Sequence, residues 1–89
     1  MEKAETIIAG VGARVAELRR KNGWTQQDLA DRLRMEPQSV QRIERGTNLT
    51  IRSLVRLARV LGVPMLALFQ EPSAAERRPG RPKRRQKAP

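Results

Sequence analysis

The sequence predicts a compact all-α domain, a bundle of five short helices, followed by a disordered basic tail. Apolar residues recur at intervals of three and four, and no alternating pattern typical of a strand appears. Helix start and stop signals follow one another closely along the chain. After Glu71 the composition changes to Pro, Gly, Arg and Lys without an apolar face. We therefore divide the chain into a domain over residues 1–72 and a tail over residues 73–89.

The first two helices are expected at about residues 6–22 and 26–34. Thr25 is a favourable N-cap for the second helix, and Asp28 stands three residues later, as in a capping box. The apolar positions of these helices repeat at helical spacing and are expected to be buried: Val11, Val15, Leu18, Leu29, Ala30 and Leu33.

The other three helices follow after short turns. Pro37 suits the first position of a helix over about residues 37–45, where its missing N–H costs nothing. Thr50 caps a fourth helix that ends at Gly62, and Pro64 opens a short apolar segment over residues 65–69. The positions expected to be buried in the third and fourth helices are Val40, Ile43, Leu54, Leu57, Ala58 and Leu61.

The second and third helices are joined by a turn too short for antiparallel packing. They are expected to cross steeply, as in a helix-turn-helix unit. Val40 and Ile43 then mark the buried side of the third helix. Its outer side carries Arg, which can pair with guanine, and Gln, which can pair with adenine. These outward residues are Gln38, Gln41, Arg42 and Arg45.

Two runs of sequence carry a family resemblance. The runs WTQQDLA at 24–30 and VQRIERG at 40–46 resemble the phage repressor and Cro family of helix-turn-helix domains. Residues 54–64 resemble that family's fourth helix and the start of its fifth, so the resemblance covers about residues 11–69. It implies a sequence-specific transcriptional regulator, a repressor in the first instance, which binds double-stranded DNA as a homodimer and inserts the third helix into the major groove.

The resemblance also implies roles for single residues. Base contacts are expected from the recognition helix, at Gln38, Ser39, Gln41 and Arg42. Pro37 departs from the polar residue usual at its position, although it can still contact a thymine methyl group. Contacts to DNA phosphates are expected from Gln26, Gln27, Arg45, Asn48 and Arg52. An ion pair between Arg19 and Glu44 is expected to orient the recognition helix.

The charge of the chain favours a polyanionic partner. The net charge is +10; residues 1–72 contain twelve basic and eight acidic residues, and residues 73–89 contain seven basic residues and one acidic residue. The tail has a Gly-Arg-Pro core between basic flanks and is similar to an AT-hook, which lies in the minor groove of A·T-rich DNA. Its expected DNA-binding residues are Arg81, Lys83, Arg84 and Arg85. Non-specific phosphate binding, or solubility alone, is the alternative for this tail.

The amino-acid composition argues against several other classes of function. The chain has no Cys and no His, so we expect no metal, no cofactor and no enzymatic activity. It also lacks a membrane-spanning segment, and a cytoplasmic, nucleoid-associated protein is expected. Two other functions stay open: an antitoxin that binds a toxin and represses its own operon, or an architectural DNA binder.

The short apolar segment at 65–69 is the expected dimer interface. It offers more apolar surface than one short helix needs for its own core. Leu66 and Phe69 are expected to close the core of the monomer, leaving Met65 or Leu68 to face the partner.

Overall fold

The computed structural model describes residues 3–47 and 49–72, which form an all-helical domain. Its α-helices are α1 (Ala4–Lys21), α2 (Gln26–Leu33), α3 (Pro37–Glu44) and α4 (Ile51–Leu61), and a 3-10 helix follows at Met65–Phe69. The predicted all-α class is confirmed, but the described residues contain four α-helices where we expected five. No helix among these residues combines the length and the apolar character that crossing a membrane requires.

One hydrophobic core holds these elements together. Every apolar position that the helical spacing predicts to be buried is buried: Val11, Val15, Leu18, Leu29, Ala30, Leu33, Val40, Ile43, Leu54, Leu57, Ala58 and Leu61. Trp24 and Met35, from the turns on either side of α2, pack against the edge of this core. The guanidinium of Arg32 lies 4.1 Å from the centroid of the Trp24 ring. The helix-turn-helix unit is therefore built directly on the core of the domain.

The predicted caps fix where α2 and α4 begin. Thr25 and Asp28 form a capping box, in which the Thr25 N–H donates to the Asp28 carboxylate at 2.9 Å and the Asp28 N–H donates to the Thr25 hydroxyl at 3.0 Å. Hydrogen bonds from the Thr25 backbone and then from its side chain hold the pKa of Asp28 below its usual value of 3.8. Thr50 and Ser53 form the corresponding box at the start of α4.

The 3-10 helix reverses one prediction. Leu68 is fully buried and Met65 packs against the core, whereas Leu66 is 80% exposed and Phe69 is 47% exposed. The expected pairs are found, but each pair lies on the opposite face to the one expected. In a 3-10 helix, residues three apart lie on the same side, so Met65 and Leu68 turn inward together. Leu68 is therefore not available to a partner chain.

Arg14 fastens the 3-10 helix to α1. Its Nε donates to the Ala67 carbonyl at 2.9 Å, and its Nη2 donates to Oε1 of Gln70, also at 2.9 Å. Its Nη1 lies 2.8 Å from Oε1 of Glu17, a carboxylate that is itself buried. Charge-assisted hydrogen bonds of this kind are stronger than neutral ones. The exposed pair Leu66 and Phe69 is therefore presented on a segment with a fixed position.

Candidate nucleic-acid interface

Helix α3 has one buried and one exposed side. Val40 and Ile43 are almost completely buried, and they anchor the helix on the core. The side chains expected to read DNA bases point away from the core: Gln38, Gln41 and Arg42 are exposed, and Ser39 is half-buried. The outward face of α3 is thus polar, and within the helix Glu44 is its single acidic residue.

An ion pair joins that acidic residue to α1. Nε of Arg19 lies 2.6 Å from Oε2 of Glu44, Nη2 of Arg19 lies 3.1 Å from Oε1, and both side chains are more than nine-tenths buried. Nη1 of Arg19 donates to the Trp24 carbonyl at 2.8 Å, and Nε2 of Gln26 donates to Oε1 of Glu44 at 2.9 Å. A buried charge is tolerated when it is paired and hydrogen-bonded in this way. The network fixes the end of α3 against both α1 and the start of α2.

The backbone of α1 also approaches the end of α3 closely. A Cβ atom added to Gly12 would lie 2.6 Å from the Glu44 carbonyl oxygen and 2.7 Å from that of Ile43. After α3, Gly46 adopts a φ of +84°, and its position lies against Ile8 and Ala9 of α1. Only glycine combines such a φ with so little volume at low cost. These two glycines allow the loop that follows α3 to rest on α1.

A groove of about 470 Å³ lies between α1, the start of α2 and the end of α3. Its walls combine small, polar and basic side chains: Ala13, Ala16, Arg20, Gln26, Gln41, Glu44 and Arg45. Three of the predicted DNA-contacting residues therefore meet in one place. The carboxylate of Glu44 is paired with Arg19, and the cationic side chains that line the groove are those of Arg20 and Arg45.

The other predicted contact residues lie around this groove or outside the described part of the chain. Gln27 is exposed, and its Nε2 donates to Oδ1 of Asp31 at 2.9 Å. Arg52 is exposed in the first turn of α4. The predictions for Asn48 and for the tail, including Arg81, Lys83, Arg84 and Arg85, fall on residues that the structure does not describe.

Arg20 is a charged lining residue that was not among the predicted DNA contacts. Ala13, Ala16 and Arg20 are spaced by three and four, so they share one face of α1. That spacing was visible in the sequence, but the partner of this face could not be read from it. Across residues 3–47 and 49–72, no group of three or more acidic, His or Cys side chains is placed to hold a metal ion.

Comparison with known proteins identifies the family. Residues 15–68 match the family model described as helix-turn-helix. A crystal structure of the restriction-modification controller protein C.AhdI from Aeromonas hydrophila is similar at 30% identity and a TM-score of 0.66, over 70% of this chain and 96% of that one. The hypothetical transcription factor NHTF from Neisseria is similar at 26% identity and a TM-score of 0.68, over 81% of this chain and 85% of that one. None of the curated protein sequences compared with this chain matches it.

This chain belongs to the helix-turn-helix family of phage repressor and Cro-like regulators. It is a DNA-binding transcriptional regulator and not an enzyme, as the sequence analysis predicted. Its partner is double-stranded DNA.

Proposed function

We propose that this protein is a sequence-specific repressor that inserts α3 into the major groove of an operator. The observation that carries the proposal is the orientation of α3, whose outward face bears Gln38, Gln41 and Arg42 while its inward face is locked on the core. Arg pairs with the O6 and N7 atoms of guanine, and Gln pairs with the N6 and N7 atoms of adenine. Occlusion of a promoter by the bound protein is the proposed mode of repression.

The residues that flank α3 are proposed to bind the DNA backbone. Arg45 and Arg52 are exposed cations beyond the end of α3 and at the start of α4, and Gln27 is exposed at the start of α2. Gln26 donates one hydrogen bond to Glu44, and an amide nitrogen carries two N–H groups. A second N–H of Gln26 is therefore available for a phosphate oxygen. Such contacts set the register of the protein on DNA without reading its sequence.

We propose that two copies bind a palindromic site through the pair Leu66 and Phe69. Leu66 is the most exposed of the large apolar side chains in the described residues, and Phe69 shares its face of the 3-10 helix. One helix-turn-helix unit reads only a short stretch of DNA, so two-fold dimers are the common solution. The proposed interface replaces the pair Met65 and Leu68, because Leu68 is buried within the monomer.

The tail at residues 73–89 is proposed to add affinity. Its seven basic residues and single acidic residue favour phosphate binding. Its Gly-Arg-Pro core is similar to an AT-hook, a peptide that binds in the minor groove of DNA. Because minor-groove recognition is degenerate, we expect the tail to strengthen binding to every sequence and to leave operator choice to α3.

The test of this function is selection of bound sequences from a random duplex pool. The full chain, a 1–72 truncation and Arg42→Ala are compared side by side. A palindromic motif shared by the first two supports the proposal. With Arg42→Ala we expect one base pair in each half-site to lose about 1–3 kcal/mol of discrimination. No motif from either chain would refute sequence-specific repression.

Two further outcomes would indicate the competing functions. A·T enrichment that disappears with the tail would indicate an architectural binder. Co-purification of a small partner protein would indicate an antitoxin. For the dimer, Leu66→Ser should weaken self-association in sedimentation equilibrium, and the exposed Ile51→Ser is its control.

A further inference from the structure

The groove between α1 and α3 is basic on both sides. Arg20 comes from the last turn of α1, and Arg45 follows the last residue of α3. Ala13 and Ala16 also line the groove from α1, and a methyl side chain takes up little of its volume. Among the described residues, the one carboxylate in the lining is that of Glu44, which accepts hydrogen bonds from Arg19 and Gln26.

Three carbonyl groups at the end of α3 accept hydrogen bonds from residues that follow the helix. The Gln41 carbonyl accepts from the Arg45 N–H at 3.0 Å, and the Ile43 carbonyl accepts from the Gly46 N–H at 2.9 Å. The Arg42 carbonyl accepts from the Thr47 N–H and from the Thr47 hydroxyl, each at 2.8 Å. These three carbonyl groups are therefore already hydrogen-bonded within the chain.

We propose that this groove binds one DNA backbone phosphate and that Arg20 is one of its two cationic ligands. The inference rests on the proposed function, since it places the backbone beside α3 when α3 is in the major groove. Gln41 lines the groove and lies on the outward side of the recognition helix, so a duplex that meets α3 brings a phosphate wall to the mouth of the groove. Arg20 then clamps that phosphate from α1, opposite Arg45.

The test compares Arg20→Ala with Lys21→Ala in the full chain. The two residues are neighbours in the last turn of α1, both are exposed, and each variant removes one positive charge, but Lys21 does not line the groove. Binding to the selected operator and to a scrambled duplex is measured by fluorescence anisotropy from about 50 to 200 mM KCl, the range over which phosphate contacts dominate the salt dependence. Circular dichroism melts check that both variants remain folded.

The expected result is a change in the slope of log affinity against log salt concentration. Removing one phosphate contact lowers the log–log slope by about 0.9, so a dimer of Arg20→Ala should have a slope smaller by about 1.8. Over a fourfold change in salt, the affinity of the variant should then fall about 12-fold less than that of the wild type. The effect should be equal on both duplexes, and Arg20→Lys, which keeps the charge, should restore most of the slope. Lys21→Ala should change the slope much less.

Three results would overturn the proposal. If Arg20→Ala and Lys21→Ala have the same slope while the wild type still selects its operator, the groove does not bind phosphate and the proposed function stands. If Arg20→Ala weakens operator binding but not scrambled binding, Arg20 acts on the position of α3 and is not a phosphate ligand. If the wild type shows no salt-dependent duplex binding, both this inference and the proposed function fail.

Discussion

Alanine at Gly12 should push the end of the recognition helix away from α1. The new Cβ would lie 2.6 Å from the Glu44 carbonyl oxygen, and ordinary van der Waals contact begins at 3.4 Å. The difference means that α1 and the end of α3 must separate by roughly 0.8 Å, because interiors are close-packed and the obstacle is backbone. The same Cβ atom would also lie 2.7 Å from the Ile43 carbonyl oxygen, so it could not avoid Glu44 by moving toward Ile43.

Gly10→Ala is the matched control for this substitution. Gly10 lies two residues earlier in α1, and a Cβ there would meet nothing within 4 Å. Replacing Gly by Ala inside a helix gains about 0.5–1 kcal/mol, and both variants receive that gain. Overpacking costs about 1–3 kcal/mol, and only Gly12→Ala is overpacked. We therefore expect Gly12→Ala to be about 1–3 kcal/mol less stable than Gly10→Ala.

Urea unfolding and thermal melts followed by circular dichroism measure this difference. In a domain of this size, each kcal/mol shifts Tm by about 4–8 °C. Binding provides a second measurement, since a displaced α3 should lose affinity for the selected operator more than for a scrambled duplex. Equal stability and equal operator affinity of the two variants would refute the conclusion that α1 sets the position of α3.

Three further substitutions test other contacts. Glu44→Gln leaves the Arg19 guanidinium buried without a counter-charge, so we expect a loss of about 3–5 kcal/mol in urea unfolding; a near-neutral result would mean that water screens the pair. Arg34 adopts a left-handed φ of 59°, which costs a residue with a Cβ atom about 1–2 kcal/mol. Glycine loses about 0.5–1 kcal/mol more in conformational entropy, so Arg34→Gly should gain up to about 1 kcal/mol, whereas Arg45→Gly, at an ordinary φ, should lose stability. The pKa of Asp28 is lowered on folding, so its stabilising effect is present above the unfolded pKa and is lost as pH falls through the folded value. The stability of Asp28→Asn and of the wild type should therefore converge in acid, and a pH-independent difference would contradict this.

Local signals account for most of the fold that the sequence predicted. Thr25 with Asp28 fixes the start of α2, and Thr50 fixes the start of α4, through hydrogen bonds within four residues of chain. The 3-10 helix shows the limit of such signals. In an α-helix or a 3-10 helix, residues three apart share a face, so residue 65 lies beside 68 and residue 66 beside 69. Which of these two pairs turns toward the core depends on contacts with α1 and α4. Leu66 and Leu68 have the same hydropathy, so nothing in the local sequence distinguishes them.

The candidate site also has one part that the sequence predicts and one part that it does not. The outward face of α3 could be predicted because Val40 and Ile43 define its buried side. The groove could not, since its two walls come from α1 and α3, and their approach depends on how the two helices cross. Gly12 appeared in the sequence only as part of a helix, and the neighbouring carbonyls that exclude a side chain there belong to residues more than thirty positions later.

Helix α1 contacts both α3, which is proposed to read DNA, and the 3-10 helix, which is proposed to form the dimer interface. Arg19 and Gly12 hold the end of the recognition helix, and Arg14 holds the segment that presents Leu66 and Phe69. In a two-fold dimer, the separation of the two recognition helices depends on how each one is placed relative to the interface. Operators of this class fix half-site spacing at about one helical turn, roughly 34 Å, so small errors in that placement cost affinity. Because one continuous helix carries both attachments, we expect α1 to set the spacing between α3 and the proposed interface.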